Sequence, residues 1–299
     1  MTLIQVLEDI SVSENNAKKY IAEFLLKEKD QIDKYSMQQI ADKTFTSKST
    51  LFRFAQSLNY SGWREMIQTF LREIAYMNQH YSNIDPNLPF LAGEATDDIV
   101  GKLTEIQRES VQNTADMINI DTLNLAVDRI LNARRNIVLF GISPNNLMGQ
   151  LLQRKLSSIG IILTIARTDE GGMLASALHK GDCAILVSYS GNNEQREPMK
   201  FIETLKGNQV NIISLTSEGE NYLSKNTDCV LRISSREKLY SKIGNFTTEE
   251  SILHLFNLIY ACCFSRNFIS NYNYKLQNSE EFEYRRSSKL FDLKENHKQ

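Results

Sequence analysis

Apolar residues in the first 80 positions recur with a helical period. Ile21, Phe24 and Leu25 fall on one face of a helix that we expect to begin near Ser13. The same stretch contains one glycine and no proline, so little in it interrupts helical structure. We therefore predict an all-α N-terminal domain over residues 1–80.

The helical pattern stops beyond this domain. The segment 81–96 contains two of the four prolines of the chain and no sustained period, which is typical of a linker. Two helices are predicted between 97 and 133. Asp97 or Asp98 is expected to cap the first of them, and Asp121 the second.

Short β-rich runs follow, apolar on both faces and alternating with helix-length segments. They are 136–141, 161–165, 183–188, 210–215 and 228–233. Strands buried on both faces, with helices between them, form a parallel sheet. The alternation predicts an α/β domain over 97–270, with a doubly wound, parallel five-stranded sheet flanked by helices. The tail, 271–299, is polar and charged, and is either a solvated helix or partly disordered.

Two short helices with a tight turn are predicted inside the N-terminal domain. Ser36 can cap a helix that carries Ile40 and Ala41, and Ser47 can cap a second helix after a break. Such a pair, with small Ala41 at the crossing, is typical of a helix-turn-helix. In that motif the second helix enters the major groove N-terminus first. The residues expected to meet DNA are Ser47, Lys48, Ser49, Thr50 and Arg53. Those expected to face inward are Leu51, Phe54, Ala55 and Leu58.

Charge supports a local nucleic-acid surface only. The chain has 34 Lys and Arg against 36 Asp and Glu, a formal net charge of -2, so it is not a polycation. Between residues 43 and 72, however, Glu65 is the one acidic residue among five basic ones. The basic residues are Lys43, Lys48, Arg53, Arg64 and Arg72. Such a patch is the footprint of phosphate contact. The pattern alone also allows another interpretation, because Ser and Thr at helix starts are common as ordinary caps.

Residues 37–63 resemble the helix-turn-helix of the RpiR/MurR family of bacterial transcriptional regulators. The matching residues are Ile40, Ala41, Ser47, Ser49, Thr50, Arg53, Phe54, Leu58, Tyr60, Gly62 and Trp63. Asn59 stands where the family usually has glycine, and Asn is the next best residue at a left-handed turn position. The resemblance implies a regulator that binds operator DNA.

A Ser/Gly loop, 189–193, follows the predicted strand 183–188. A strand, such a loop and then a helix form an anion-binding geometry, because N–H groups at the helix start and flanking hydroxyls can surround a phosphate. In open α/β sheets, ligands bind at the carboxyl ends of the strands. The loops after 136–141, 183–188 and 210–215 are therefore expected to line one crevice. By itself the pattern is a weak signal, because a Ser/Gly turn after a strand is more often an ordinary loop.

Residues 105–268 resemble the SIS (sugar isomerase) domain, which occurs in phosphosugar isomerases and in RpiR-family regulators. The matching residues are Phe140, Gly141, Leu178, Gly181, Asp182, Ser188, Ser190, Gly191, Gly207, Leu215 and Thr216. The resemblance implies a site for a phosphorylated sugar. The residues that it assigns to this site are Ser143, Asn145, Ser188, Ser190, Gly191, Asn193 and Glu250.

Two features depart from the SIS pattern. Asn193 replaces the family's phosphate-binding Thr. The first loop, 141–145, lacks the usual second glycine and serine, and its Pro144 has no N–H to donate. These changes leave open a different ligand, or a vestigial pocket in a domain that serves only for dimerisation.

An aldose–ketose isomerase needs a general base near the substrate, commonly Glu or His. Glu249 and Glu250 begin the apolar run 251–264, where SIS isomerases can carry a carboxylate. We prefer the interpretation that they stabilise a helix N-terminus. We therefore predict no enzyme activity and no catalytic residue, and we predict no cofactor. No metal is predicted either, since the four cysteines lack metal-ligand spacing.

The predicted protein is a cytoplasmic regulator of sugar or amino-sugar metabolism. Its first residues lack the basic start and apolar core of a signal peptide, and no apolar run approaches the length of a membrane span. Its thiols are interpreted as reduced and buried. Two half-sites need two readers, so a homodimer or tetramer is expected, built by the helices of 97–133 and 251–264. The alternatives are a phosphosugar isomerase with an N-terminal appendage and a DNA-binding dimer with a vestigial pocket.

Overall fold

The computed structural model describes residues 3–13, 16–80, 82–167 and 169–282. The chain divides into two compact units. The first contains residues 1–117, 217–221 and 232–251. The second contains residues 118–216, 222–231 and 252–299.

The N-terminal part is helical, as predicted. Its helices are α1 (Leu3–Ser13), α2 (Ala17–Glu28), α3 (Met37–Lys43), α4 (Lys48–Ser57) and α5 (Trp63–His80), with a 3-10 helix at Lys29–Lys34. The helix start expected near Ser13 is wrong, because α1 ends there. The Asn16 side chain accepts a hydrogen bond from the Lys18 N–H at 2.8 Å and caps α2.

One apolar cluster holds these helices together. Leu51, Phe54 and Ala55 are buried in it, as predicted, and Leu58 packs against it from a half-buried position. The other buried members are Leu3, Ile4, Leu7, Ile10, Ile21, Ala22, Leu25, Ile32, Ile40, Ala41, Trp63, Met66, Phe70 and Ile74. Burying one such large side chain contributes about 1.5–3 kcal/mol to folding. The inward face of α4 is thereby fixed, and the opposite face is left to solvent.

The two helices expected between 97 and 133 are α6 (Thr96–Asp116) and α7 (Ile120–Leu131). Their predicted caps are wrong. The residue before α6 is Ala95, which makes no side-chain cap. The cap of α7 is Asn119, whose Oδ1 accepts the Thr122 N–H at 2.9 Å. A cap must precede the first helical residue with extended backbone, and both helices begin before the predicted aspartates.

The predicted α/β domain contains the expected five-stranded parallel sheet. Its strands are β1 (Ile137–Gly141), β2 (Thr164–Ile165), β3 (Cys183–Val187), β4 (Asn211–Ser217) and β5 (Cys229–Ile233). The helices along this part of the chain are α8 (Asn145–Ser157), α9 (Gly171–Ala177), α10 (Ile202–Gly207), α11 (Tyr222–Lys225), α12 (Thr248–Arg266) and α13 (Phe268–Phe282). The spatial order of the strands is β2-β1-β3-β4-β5.

The pairing register aligns the carboxyl ends of the central strands. Gly141 of β1 lies opposite Val187 of β3, and Val187 lies opposite Leu215 of β4. All five residues of β3 are buried, which explains its uninterrupted apolar sequence. β2 is a two-residue strand at the sheet edge, where Thr164 is exposed. The loops after β1 and β3 therefore leave the sheet side by side.

The apolar run 251–264 lies in α12, and Ile252, Leu255, Phe256, Ile259 and Cys263 are buried. In the described residues, no single helix is long and apolar enough to cross a membrane. α12 and residues 268–279 pass that test only as a joined pair, and they are bent by 106°. The predicted tail is helical through residue 282, where α13 ends, and its remainder, 283–299, lies outside the described residues.

Candidate DNA-binding and ligand-binding sites

The first helix of the predicted helix-turn-helix is closed at its start by a capping box. The Ser36 hydroxyl accepts the Gln39 N–H at 3.3 Å, and the Gln39 side chain accepts the Ser36 N–H at 2.8 Å. These two bonds satisfy donors that a helix start otherwise leaves unpaired. The predicted role of Ser36 is confirmed. The short, seven-residue α3 is fixed before the turn begins.

The second helix is capped by Ser47, as predicted. Its Oγ accepts the Thr50 N–H at 3.1 Å and lies 2.9 Å from the Thr50 hydroxyl. Lys48 and Ser49 are exposed in the first turn. The N-terminus of α4 is thus open to solvent, and it favours an anion such as a DNA phosphate.

Arg53 lies one turn further along the same face. It is exposed, and its Nη2 donates to the Ser49 hydroxyl at 3.2 Å. The structure therefore brings the five residues expected to contact DNA onto one surface of α4. This surface consists of Ser47, Lys48, Ser49, Thr50 and Arg53, and we call it the α4 surface.

The surroundings of the α4 surface are positive. The sequence from 43 to 64 contains no acidic residue. Glu65, the nearest one beyond, accepts the Ser61 N–H at 2.7 Å and the Ser61 hydroxyl at 2.6 Å. These bonds lower the pKa of Glu65 and keep its charge at the start of α5. The Lys43 ammonium lies 5.3 Å from the centre of the Tyr35 ring.

Sequence reasoning missed one residue of this region, Phe45, which lies in the turn between α3 and α4. It has φ +53° and is 91% exposed. The only available signal was an aromatic residue among polar turn residues. The expectation for Asn59 is confirmed, since this residue has φ +64° after the end of α4.

The candidate ligand site begins at the point where the strand order reverses. β1 and β3 are neighbours in the sheet, and the strands that follow them lie on opposite sides, so a crevice is expected at their carboxyl ends. The Asn145 side chain spans this position and donates from Nδ2 to the Val187 carbonyl at 3.2 Å. Ser143 is exposed in the same loop. The first residue of α8 therefore contacts the carboxyl end of β3.

The loop after β3 is held by its own polar groups. Gly191 has φ +59°, and its N–H donates to the Ser188 hydroxyl at 3.2 Å. The Gly191 carbonyl accepts the Leu223 N–H at 2.9 Å. The Thr216 hydroxyl, at the end of β4, donates to the Tyr189 carbonyl at 3.2 Å. The loop is therefore held by hydrogen bonds within the protein, and the Ser188 oxygen accepts one of them.

The helix expected directly after this loop is not there. The Asn193 Oδ1 accepts the Gln195 N–H at 3.0 Å, and turns follow instead of a helix. A 3-10 helix at Met199–Phe201 then leads into the six-residue α10. No helix start therefore lies directly after Ser190, and the helix predicted there is wrong.

A longer helix starts at the neighbouring loop. α8 begins at Asn145, directly after the loop that leaves β1, and runs for 13 residues. It packs closely on the sheet because Gly149 has no side chain. A Cβ at that position would lie 3.0 Å from the Leu139 Cδ2. The amino end of α8 is the helix start at the β1–β3 crevice.

Glu250 belongs to the other compact unit, in the first turn of α12. It accepts a hydrogen bond from the Gln107 Nε2 at 3.2 Å. Nearby, Glu237 accepts the Thr247 N–H at 2.6 Å and the Thr248 hydroxyl at 2.5 Å. Acidic residues near a helix start favour its N–H groups and dipole. The local surroundings of Glu250 are consistent with a stabilising role there.

Three of the four cysteines, Cys183, Cys229 and Cys263, are buried, and Cys262 is half-buried. Burial raises the pKa of the Cys183 and Cys263 thiols to about 12 and that of Cys229 to about 11. Thiols with such pKa values are not ionised near neutral pH and react slowly. In the described part of the chain, no group of three or more His, Cys, Asp or Glu side chains could hold a metal ion.

Comparison with protein families gives two matches. The model of the helix-turn-helix domain of the rpiR family matches residues 1–76, and the model of the SIS domain matches residues 130–258. An uncharacterized HTH-type transcriptional regulator of Clostridium perfringens is 24% identical over 260 residues, which are 87% of this chain and 91% of the relative.

Two solved structures share the fold. The NanR protein of Vibrio vulnificus, complexed with ManNAc-6P, covers 93% of this chain and 97% of its own, with 19% identity and a TM-score of 0.55. The sugar isomerase domain of an RpiR transcription factor from Sphaerobacter thermophilus covers 61% of this chain and 98% of its own, with 20% identity and a TM-score of 0.53. The two family models show a helix-turn-helix domain followed by an SIS domain, and the two solved structures share the fold.

Proposed function

Because the chain belongs to the RpiR family of helix-turn-helix regulators and joins that domain to an SIS domain, we propose that it binds operator DNA and senses a phosphorylated sugar. The observation that carries this proposal is the α4 surface, which exposes a capped helix start with Lys48 and Arg53 beside it. The acid-free stretch around it suits phosphate.

The α4 surface has the chemistry of a recognition helix. Lys48 and Arg53 can reach a phosphate or a guanine edge, and the hydroxyls of Ser49 and Thr50 allow close approach to the backbone of DNA. We propose that these residues, with Ser47, contact the operator. Two half-sites would be read by two copies of the chain.

The proposal for DNA binding is tested with the Arg53→Ala protein. The probe is a duplex that the purified wild-type chain enriches from a pool of random sequences. We expect Arg53→Ala to lose binding to it while its circular dichroism and melting temperature stay close to wild type. Arg108→Ala is the matched control, because Arg108 is an exposed arginine of α6 that pairs with Glu105 at 2.6 Å. Equal loss in both variants would contradict the proposed role of the α4 surface.

For the ligand we propose a phosphorylated sugar or amino sugar at the β1–β3 crevice. The ManNAc-6P bound to NanR supports an amino-sugar phosphate as the first compound to try. Ser143, Asn145, Ser188, Ser190, Gly191 and Asn193 are the proposed contacts there. Glu250, which the sequence also suggested, belongs to the first compact unit and is not part of this proposal. Binding that differs between two arrangements of a dimer would change the spacing of the two α4 helices, and so the affinity for DNA.

A thermal-shift panel of sugar phosphates tests this second part. A ligand at one hundred times its dissociation constant stabilises the folded state by about 2.7 kcal/mol. A compound that raises the melting temperature of wild type, but not of Ser190→Ala, would support the site. A flat panel with intact DNA binding would contradict it.

A DNA-binding dimer without a ligand is the second candidate. It is favoured by the polar groups that the loops already use internally, since Asn145 bonds to Val187, Ser188 to Gly191 and Asn193 to Gln195. Sustained turnover of a sugar phosphate by the purified chain would contradict both regulator proposals in favour of an isomerase.

A further inference from the structure

Phe45 is an aromatic residue in an unusual position. It lies in the turn between α3 and α4, its φ is +53°, and 91% of its surface is exposed. A left-handed backbone is disfavoured for a bulky residue, and glycine or asparagine normally occupies such turns. The chain thus accepts an unfavourable backbone and an exposed ring at one residue.

The fold does not depend on the Phe45 ring. The Thr44 hydroxyl donates to the Ile40 carbonyl at 2.8 Å and lies 2.9 Å from the Thr46 hydroxyl. The Thr46 N–H donates to the Ala41 carbonyl at 2.8 Å. The turn is set by these bonds from both neighbours of Phe45, so a glycine at this position fits the same backbone.

Phe45 is close in sequence to the surface proposed to contact DNA. Phe45 precedes the cap residue Ser47 by two positions, and Lys43 and Lys48 flank it in sequence. No acidic residue occurs from 43 to 64. The exposed Asp42, which accepts a hydrogen bond from Gln38 Nε2 at 2.8 Å, is the nearest acidic residue in sequence. A phosphate backbone bound at Lys48 would bring the edge of the major groove close to the turn.

We propose that Phe45 is a specificity-determining DNA contact, whose ring packs against the C5-methyl group of a thymine in the major groove next to the base pairs read by α4. The thymine methyl is the apolar group that base edges present in that groove. This inference rests on the proposed function, because it assumes that the helix-turn-helix binds DNA. It explains why an exposed ring stands at a position that stability would give to glycine.

The test compares Phe45→Gly with wild type on the duplex that wild type enriches from random sequences. We expect Phe45→Gly to melt at a higher temperature, because glycine adopts φ +53° without strain. We expect its affinity for the duplex to fall by roughly tenfold, as one apolar contact is lost. Phe45→Leu should keep part of the affinity, and Phe45→Asn should behave like Phe45→Gly.

Asn59→Gly is the matched control. Asn59 is also exposed, also has a positive φ of +64°, and closes the other end of α4. The Asn59→Gly protein should bind the duplex as wild type does. If it loses as much affinity as Phe45→Gly, backbone freedom near α4 explains both losses and the inference is overturned.

The salt dependence of affinity and the replacement of thymine distinguish a contact made by the Phe45 ring from contacts made by the lysines. Phe45→Gly should lower affinity at every salt concentration and leave the slope of log affinity against log salt unchanged. Lys48→Ala should reduce that slope by about 0.9, the value for one phosphate contact. Replacing thymine by uracil in the duplex removes the methyl groups, so it should weaken wild type and have little further effect on Phe45→Gly.

The outcomes distinguish failure of the inference from failure of the proposed function. If Phe45→Gly binds as wild type does and Arg53→Ala does not bind, the inference is wrong and the regulator proposal stands. If uracil weakens wild type and Phe45→Gly equally, the ring is not the partner of the methyl group. If the wild-type chain enriches no duplex, the proposed function fails first.

Discussion

The α4 surface and the loops at the β1–β3 crevice are built from the same small polar residues, yet they offer a ligand different groups. In the α4 surface, Ser47 closes the helix start and Lys48 and Arg53 remain exposed beside it. Residues 141–146, after β1, contain no lysine or arginine, and the connection 188–198, after β3, contains Arg196 together with Glu194 and Glu197. One surface therefore attracts anions by charge, whereas the other offers mostly neutral donors and the start of α8.

Because of this difference, the two surfaces need their binding groups to be positioned with different precision. Charge acts over several ångströms, so binding of DNA phosphates tolerates small changes of position. Neutral donors need hydrogen-bond geometry, and some at the crevice are engaged within the protein, as Asn145 is with Val187 at 3.2 Å. We therefore expect DNA affinity to depend steeply on salt, and sugar-phosphate affinity to depend on the exact shape of two loops.

The largest predicted effect comes from the cores beneath the two surfaces. Phe54→Ala, in the helical cluster, and Leu186→Ala, in β3, each remove a fully buried side chain and should lower the free energy of unfolding by about 2–5 kcal/mol. Each region has its own probe. The single tryptophan, Trp63, lies in the helical cluster, and Cys183 is buried in the sheet.

Chemical unfolding followed by Trp63 fluorescence and by Cys183 labelling measures the two effects. Phe54→Ala should lower the midpoint reported by Trp63 more than the one reported by Cys183, and Leu186→Ala should do the opposite. Equal shifts of both midpoints in both variants would contradict the division into two compact units.

The next prediction concerns the caps of α3 and α4. Ser36→Ala and Ser47→Ala should each cost about 1 kcal/mol of stability, because each leaves a helix-start N–H unpaired. Only Ser47→Ala should also weaken DNA binding, since Ser47 lies on the α4 surface and Ser36 does not. Urea unfolding and the DNA assay together provide the measurement. A loss of DNA affinity in Ser36→Ala beyond its loss of folded protein would contradict the assignment.

The features that were predicted correctly from the sequence are those that depend on short-range interactions. The caps Ser36 and Ser47, and the strands of the sheet, depend on neighbours a few residues away, and these predictions were confirmed. Asp121 was the wrong cap because Asn119 begins the helix two residues earlier, which spacing alone does not decide. Phe45 was missed because its exposure depends on a turn conformation set by the hydrogen bonds of Thr44 and Thr46, which the sequence pattern does not specify.

The loops at the crevice were predicted less well than the α4 surface, because their conformation depends on turns that the sequence pattern does not specify. The strand order places the loops after β1 and β3 together, as the alternation of strands and helices implied. The helix start expected beside Ser190 is absent because Asn193 forms a turn with Gln195. The start of α8 is at the crevice instead. Which loop feeds directly into a helix depends on such local side-chain bonds, and the SIS-like pattern did not specify them.

A smaller effect separates the two serines of the β3 loop. Ser188→Ala removes the acceptor of the Gly191 N–H and should cost about 0.5–1.5 kcal/mol. Ser190→Ala should change stability by less than about 0.5 kcal/mol, because Ser190 is half-buried and outside that hydrogen bond. Urea unfolding of both variants without ligand measures the contrast. An equal cost would mean that Ser190 also holds the loop together.

The smallest predicted effect is a pH dependence from α12. Burial lowers the pKa of His254 below its ordinary value, so the folded chain disfavours the charged imidazole. The unfolded chain binds this proton first, and the contribution of His254 to stability is therefore present above the unfolded pKa, about 6.5, and is lost as the pH falls through the folded pKa. His254→Gln removes the titrating group. As the pH is lowered from about 7.5 to about 5.5, the melting temperature of wild type should fall relative to that of His254→Gln. A difference that stays constant over this range would show that His254 keeps its ordinary pKa in the folded chain.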